Sequence, residues 1–263
     1  MERIGDCKRI PKIVHQIWLG PREMPNEWMS GWREFCKQYG WEYKLWTDSD
    51  MTFLINQEIF DNSKTYQMKS DIARYEILYN HGGLYVDCDM IWLGKDISLY
   101  IPLDKNMFIG IQEFPSPADI GYHNLCNGMF ASPKGHNILK RCISKIPEYS
   151  KDVKRKKTGA WAMSGPCLLN NCIMEPIIVV PYKYIFPVDF HYKQGINDPS
   201  IYKNDSLVFT YNGNDYPGIT YLDLLSTSSP ESIIFWVVLV VILLLILFFL
   251  GYNRGRWSFL KRI

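Results

Sequence analysis

The 263 residues are enough for one large domain or two small ones. With 29 basic and 27 acidic side chains the formal charge is only +2, so the chain lacks the basic excess of a nucleic-acid binder and no nucleic-acid partner is expected. Aromatic residues make up 15%, including 9 Trp and 17 Tyr, a composition that suits stacking surfaces for sugars or bases and equally a large aromatic core, which is the preferred reading. Met1 to Arg9 is polar and reads as no secretory signal, and the seven cysteines show no CxxC or paired spacing. Free thiols in a reducing compartment are expected, without a zinc site.

Pro11 to Gly20 reads as a first strand, closed by a turn at Gly20 and Pro21. From Asn26 to Tyr39, Trp28, Trp32, Phe35 and Tyr39 recur at i, i+4, i+7 and i+11, the period of a helix. A second strand follows at Trp41 to Trp46. Strand, helix and strand in that order predict an α/β layer with parallel pairing. Asp48 to Gln67 is expected to hold one or two short helices.

The segment Lys69 to Met90, KSDIARYEILYNHGGLYVDCDM, is the centre of the chain. Ser70 is a plausible N-cap for a helix over Asp71 to Asn80, with Ile72, Tyr75 and Tyr79 on its apolar face and Asp71 and Arg74 sharing another. Gly82 and Gly83 end it, and Leu84, Tyr85 and Val86 form a short strand. Alternation along an extended continuation would point Asp87 and Asp89 the same way and Cys88, read as a packed thiol, the other. Carboxylates so close repel one another unless positive charge lies beside them, and a hard divalent cation is the obvious counter-ion. On the tripeptide alone a solvated turn is the commoner explanation.

The surroundings reverse that preference. Lys69, Ser70, Asp71, Arg74, Tyr75, Gly82, Gly83, Tyr85, Asp87 and Asp89 together resemble the signature of the DXD-motif, sugar-binding-region glycosyltransferases, glycosyltransferase family 32. The opening strand, PKIVHQIW, resembles the same family's first strand. The resemblance covers most of residues 11 to 190 and implies a GT-A type nucleotide-sugar-binding sheet flanked by helices. It implies a donor such as GDP-mannose or a UDP-hexose, a divalent Mn2+ or Mg2+, and transfer with retention of anomeric configuration. By the same resemblance Asp71 and Arg74 bind hydroxyls of the transferred sugar, and Arg74 can also face the phosphate. Asp89 is expected to coordinate the metal directly, while Asp87 divides its oxygens between metal and ribose. His15, Gln16 or Trp18 would contact the nucleotide; the alternative is that His15 is a satisfied core histidine and Trp18 a packing anchor.

Further along, Met107 to Ile111 reads as a strand, Glu113 to His123 as a loop, Leu125 to Ser132 as a strand and Asn137 to Ile146 as a helix. Asn127, Pro133 and His136 match the family's pattern, which would give Asn127 a hydrogen bond to the donor sugar; it could instead stitch neighbouring backbone groups. Lys151 to Lys157 is a basic cluster, either a solvated face or a contact for anionic lipid head groups. Trp161 to Pro166 resembles the family's Gly-Pro step before a helix, here Cys167 to Ile173, and late strands are expected at Ile177 to Val180 and Tyr184 to Val188. Phe209 to Tyr216 departs from the relatives, which place a histidine and tryptophan at the comparable position; this puts the third metal ligand in doubt.

Ile233 to Leu250 is 18 consecutive apolar residues. As a helix it would span roughly 27 Å, about the hydrocarbon core of a bilayer. The expected layout is a glycosyltransferase domain at 1–225, a linker at 226–232, a single C-terminal transmembrane helix at 233–252 and a basic tail at 253–263. The tail argues for a cytosolic C-terminus, whereas the cysteines argue for a cytosolic domain. The implied function is metal-dependent transfer of a hexose to a lipid or glycan acceptor at a membrane. The alternatives are an inactive, membrane-held nucleotide-sugar-binding module and a nucleotide-sugar hydrolase.

Overall fold

The pattern of short apolar strands separated by amphipathic helices folds, in a computed structural model, into a six-stranded mixed sheet with helices on both faces. The structure describes residues 9–113, 124–185 and 206–210. These lie within one unit, Met1–Gly218. The expected linker, transmembrane helix and basic tail lie outside the described residues, as does all of the Phe209 to Tyr216 segment beyond Thr210. Among the described residues no helix is long and apolar enough to cross a membrane.

In chain order the elements are β1 (Ile13–Ile17), α1 (Asn26–Tyr39), β2 (Glu42–Trp46), α2 (Gln57–Asn62), α3 (Tyr66–His81), β3 (Gly83–Val86), β4 (Met90–Trp92), β5 (Ile109–Gln112) and β6 (Leu125–Ser132). They continue with α4 (Asn137–Tyr149), α5 (Val153–Thr158), α6 (Ala160–Met163), α7 (Pro166–Asn170), β7 (Ile178–Val180) and β8 (Val208–Thr210). The sheet order is β2-β1-β3-β6-β5-β7, and β4 pairs with β8 in a separate two-stranded sheet. β1 runs parallel to both β2 and β3, as the strand–helix–strand order predicts, while β6 is antiparallel to β3 and β5.

Alternation along the strands divides the core in two. Tyr85 packs with Ile72, Tyr75, Phe130 and Leu139 on the face covered by α3, α4 and α7. Its neighbours Leu84 and Val86 pack with Trp32, Phe35, Met129 and Ile111 on the face covered by α1. The path therefore leaves β1 over one face to reach β2 and returns over the other to reach β3. That reversal makes the β1–β3 boundary a topological switch point, and open α/β sheets bind ligands beyond the carboxyl ends of the strands at such a point.

Four expectations need correction. The central helix begins at Tyr66 and is capped by Thr65, whose side chain accepts from the Met68 amide at 3.2 Å, so Ser70 sits inside it. Nor does it bury one face only: Asp71 through Leu78 are all buried, because α2, α4, α6 and β6 surround it. Tyr182–Tyr184 is a 3₁₀ turn, closed by the Tyr184 amide on the Pro181 carbonyl, where the start of a strand was expected; 186–188 lie outside the described residues. The expected Cys167 to Ile173 helix is the shorter α7, with Pro166 as its first residue.

Candidate active site

A helix buried on all sides must pair its polar side chains, since an isolated buried charge is costly. α3 does so with three of them. Glu76, fully buried, accepts from the Ile55 amide, from the Asn56 amide at 2.9 Å and from Asn56 Nδ2 at 3.1 Å, which fixes the start of α2. Asp71 and Arg74 face the other way, toward the carboxyl end of β3.

Arg74 is the hub. Its Nη2 lies 3.1 Å from Asp71 Oδ1 and 3.2 Å from Asp87 Oδ1, and donates to Ser70 Oγ at 3.1 Å. Nη1 donates to the Asn127 carbonyl at 2.7 Å, and the guanidinium lies 4.6 Å from the Tyr85 ring centroid. Burial works against the charge, but Asp87, Tyr85 and Asp71 outweigh it and hold the arginine protonated.

Asp71 accepts from Asn127 Nδ2 at 2.7 Å and from Ser164 Oγ at 2.9 Å. Burial pushes its carboxyl up to about 6, against the opposing pull of Arg74 and the Ser164 hydroxyl. Tyr75 supports the same corner, its hydroxyl donating to the carbonyls of Ser164 at 2.9 Å and Gly165 at 3.2 Å. Asn127 does neither of the things considered for it within the described residues: its backbone carbonyl receives Arg74 and its side-chain amide holds the Asp71 carboxylate.

Asp87 follows β3 directly. Its amide bonds the Gly128 carbonyl at 2.8 Å and its carbonyl accepts from Met90 at 3.2 Å, so residues 87–90 form a turn. The extended alternation expected for Asp87, Cys88 and Asp89 is therefore replaced by that turn. Cys88 does pack inward, as expected, with Sγ donating to the Ile17 carbonyl at 3.2 Å. Tyr85 donates its hydroxyl to Asp87 Oδ1 at 2.6 Å, and the Asp87 side chain remains about one-third exposed at 32%. Among the described residues Oδ2 has no hydrogen-bond donor; a Cβ on Gly128 would come within 2.6 Å of it, so a side chain there would force the carboxylate to shift. Asp89 is half-buried in the same turn.

No cluster of three or more metal-ligating side chains exists among the described residues. The donor set nevertheless fits a hard cation of the magnesium or manganese kind, which takes one or two carboxylates and completes its shell with substrate phosphate and water. Asp87 and Asp89 would supply the carboxylates, and Arg74 Nη2 lies 3.2 Å from Asp87 Oδ1.

The structure brings Asp71, Arg74, Asp87 and Asn127 together and leaves His15 aside. His15 is fully buried, with Nε2 bonded to the Gly82 carbonyl at 2.9 Å and Nδ1 accepting from Trp46 Nε1 at 3.0 Å, so both ring nitrogens are engaged in the core. Gln16 instead reaches the site, donating to the Asp87 carbonyl at 3.3 Å and accepting from Tyr43 at 2.8 Å. Trp18 is half-buried just past the end of β1 and donates to the Arg22 carbonyl at 2.9 Å. Sequence reasoning missed Ser164, Gly128 and the Tyr85 hydroxyl as parts of the site. Tyr85 stands in the family signature and Ser164 before the Gly-Pro step of WAMSGP, whereas nothing local marks Gly128.

Fold and site together define an α/β protein with an acidic, arginine-backed turn at the carboxyl ends of parallel strands. Residues 25–107 match the family described as the glycosyltransferase sugar-binding region containing the DXD motif. That stretch contains Asp71, Arg74, Asp87 and Asp89, whereas His15, Trp18 and Asn127 fall outside it. Inositol phosphoceramide mannosyltransferase 1 of Schizosaccharomyces pombe is 28% identical over 67% of this chain and 57% of its own length. An uncharacterized glycosyltransferase of Acanthamoeba polyphaga mimivirus is 33% identical over 49% of this chain and 53% of its own. A solved glycosyltransferase involved in glycosylation of the major capsid of PBCV-1 aligns with a TM-score of 0.48 at 16% identity, covering 77% of this chain and 96% of that one. The chain spans little more than half the length of these two curated relatives. Residues 25–107 are thus similar to a DXD-motif glycosyltransferase sugar-binding region, and the proteins the chain resembles include inositol phosphoceramide mannosyltransferases and a viral glycosyltransferase.

Proposed function

We propose that the chain is a metal-dependent, retaining glycosyltransferase that moves a hexose from a nucleotide sugar, GDP-mannose or a UDP-hexose, to a hydroxyl of a lipid or glycan acceptor. The observation that supports this best is the Asp71–Arg74–Asp87 array, tied by Asn127 and opening at the 87–90 turn, within the segment matched to the DXD region. In this reading residues 1–225 are a GT-A type catalytic domain, and 226–232, 233–252 and 253–263 are linker, single-pass membrane anchor and basic tail. The relatives named for inositol phosphoceramide favour a lipid acceptor.

Asp87 and Asp89 would hold Mn2+ or Mg2+, which when bound supplies Lewis-acid neutralisation of the leaving diphosphate. Asp87 offers Oδ2 outward because Tyr85 and Arg74 already occupy Oδ1. Arg74 pairs with Asp87 and anchors it to α3. Asp71, ionised above about pH 6, keeps lone pairs beyond those used by Ser164 and Asn127 to accept hydroxyls of the hexose. Trp18, beside the switch point, offers a ring face to the nucleoside. With no residue assigned as nucleophile, the acceptor hydroxyl attacks the anomeric carbon from the side the diphosphate leaves. The new C–O bond forms as the sugar–phosphate bond breaks, and the hydroxyl proton passes to the departing phosphate oxygen.

NMR of the product formed from an α-linked donor tests the stereochemistry: an α-linked product is expected, and a β-linked one contradicts retention. Comparing free sugar with sugar transferred to inositol phosphoceramide in detergent separates transferase from hydrolase, since release without transfer contradicts the reading.

A further inference from the structure

Thirteen-residue α4 ends in a turn that leads into α5, and turn and helix together carry a dense run of cations, Lys-Asp-Val-Lys-Arg-Lys-Lys over residues 151–157. The structure sorts these charges. Arg155 is turned inward: its guanidinium stacks 3.7 Å from the Tyr149 ring centroid and donates to the Ala162 carbonyl at 3.1 Å. Asp152, the lone acid of the run, is occupied too, since Oδ1 caps the amides of Lys154 and Arg155 at 2.8 and 3.2 Å and Oδ2 lies 3.6 Å from Arg155 Nε. Lys151, Lys154, Lys156 and Lys157 are left exposed, with no acidic partner among the described residues. Val153 stands among them 66% exposed.

The helix is thus capped by Asp152 and pinned to the body by Arg155, while Lys151 just before it and Val153, Lys154, Lys156 and Lys157 on it are exposed. It is also joined to the site. After Gly159, held at φ 88°, the chain enters α6, which packs against α3 and ends at Ser164, the residue that bonds Asp71. The cationic face therefore stands one short helix away from the carboxylate array.

We propose that α5 docks the domain on an anionic lipid bilayer, the four lysines meeting head-group phosphates or carboxylates and Val153 entering the interface. A short, flat basic helix with an apolar residue among its lysines fits a sheet of negative charge with hydrocarbon beneath it, and each lysine near such a surface strengthens attachment. The 18 apolar residues at 233–250 of the same chain make a bilayer the matching partner. This goes beyond the transfer chemistry and does not need it: the readout below uses no donor and no turnover, so its failure leaves the transferase reading untouched.

The test uses the full chain in nanodiscs of phosphatidylcholine alone and of phosphatidylcholine with phosphatidylserine. A water-soluble amine reagent labels the lysines, and mass spectrometry follows each rate. Lys37, exposed on α1 across the sheet, is the internal control. Lys151 and the three α5 lysines are expected to label roughly threefold or more slowly in the anionic discs and to recover at high salt as the attraction is screened, with Lys37 unchanged. Equal rates in both discs would overturn the proposal and leave a solvated face. Slowing that is the same in neutral discs would overturn it too, since charge would then play no part.

Discussion

His15 should make the fold acid-sensitive in a way that a single substitution can isolate. Burial, followed by the neighbouring charges of His81 and Lys44, depresses its pKa from 6.5 to about 4, although the bond to the Gly82 carbonyl pulls the other way. In the unfolded chain the ring takes up a proton near pH 6.5; in the folded chain it stays neutral until about pH 4. Between those values the unfolded state binds more protons, so stability is full above the upper value and falls as pH is lowered toward the lower one. From 6.5 to about 4, at about 1.4 kcal/mol per tenfold change in proton affinity, the loss is about 3 kcal/mol. Asp71 opposes it, because a carboxyl raised to about 6 favours the folded state as pH falls toward its ordinary value. The comparison to make is therefore wild type against His15→Gln, which keeps a donor and an acceptor but cannot titrate. Urea unfolding followed by tryptophan fluorescence, repeated from neutral pH down to pH 4, should show the stability difference changing by about 3 kcal/mol in favour of the variant. A difference independent of pH would refute the assignment of His15 as a neutral core residue.

Gly128→Ala should place a methyl 2.6 Å from the present position of Asp87 Oδ2 and push that carboxylate aside; the metal concentration needed for half-maximal donor turnover should rise about tenfold or more, with little change in melting. Ser164→Ala removes the hydroxyl that lowers the Asp71 pKa, so the acid limb of the turnover–pH profile should move to higher pH, and Ser164→Thr should restore it if its hydroxyl keeps the bond. Glu76→Gln leaves one of the buried amides at Ile55 or Asn56 facing an NH₂ group in place of an oxygen, and urea unfolding should show a loss of about 1 to 3 kcal/mol without an effect on the metal requirement.

Much of the architecture is legible because local signals agree with the global fold. The helical period from Trp28 to Tyr39 gives α1 its observed limits, and the apolar run Leu125 to Ser132 gives β6 its own. The start of α3 was misplaced because Thr65 and Ser70 are both plausible caps, and only packing shows that the Ser70 hydroxyl serves Arg74 instead. β4 carries just three residues, and it pairs with β8 far along the chain, so no local period could reveal it. The site divides in the same way. Asp71, Arg74, Asp87 and Asp89 lie close in sequence and carry a spacing that can be read, whereas Ser164 meets Asp71 across 93 positions. The 87–90 turn was missed because it depends on the Gly128 carbonyl capturing the Asp87 amide, a contact made by another strand. His15 shows the limit of motif reading: a histidine in a matching strand had two roles open to it, and the Trp46 indole and the Gly82 carbonyl occupy both ring nitrogens.

The most direct test of the account is turnover of a panel of nucleotide sugars by the full chain, with and without Mn2+, beside Asp89→Ala. The account predicts turnover of one donor, dependent on the metal and reduced about a hundredfold or more in the variant, which loses one of the two carboxylates of the 87–90 turn. Metal-independent turnover, or full activity in Asp89→Ala, would contradict it.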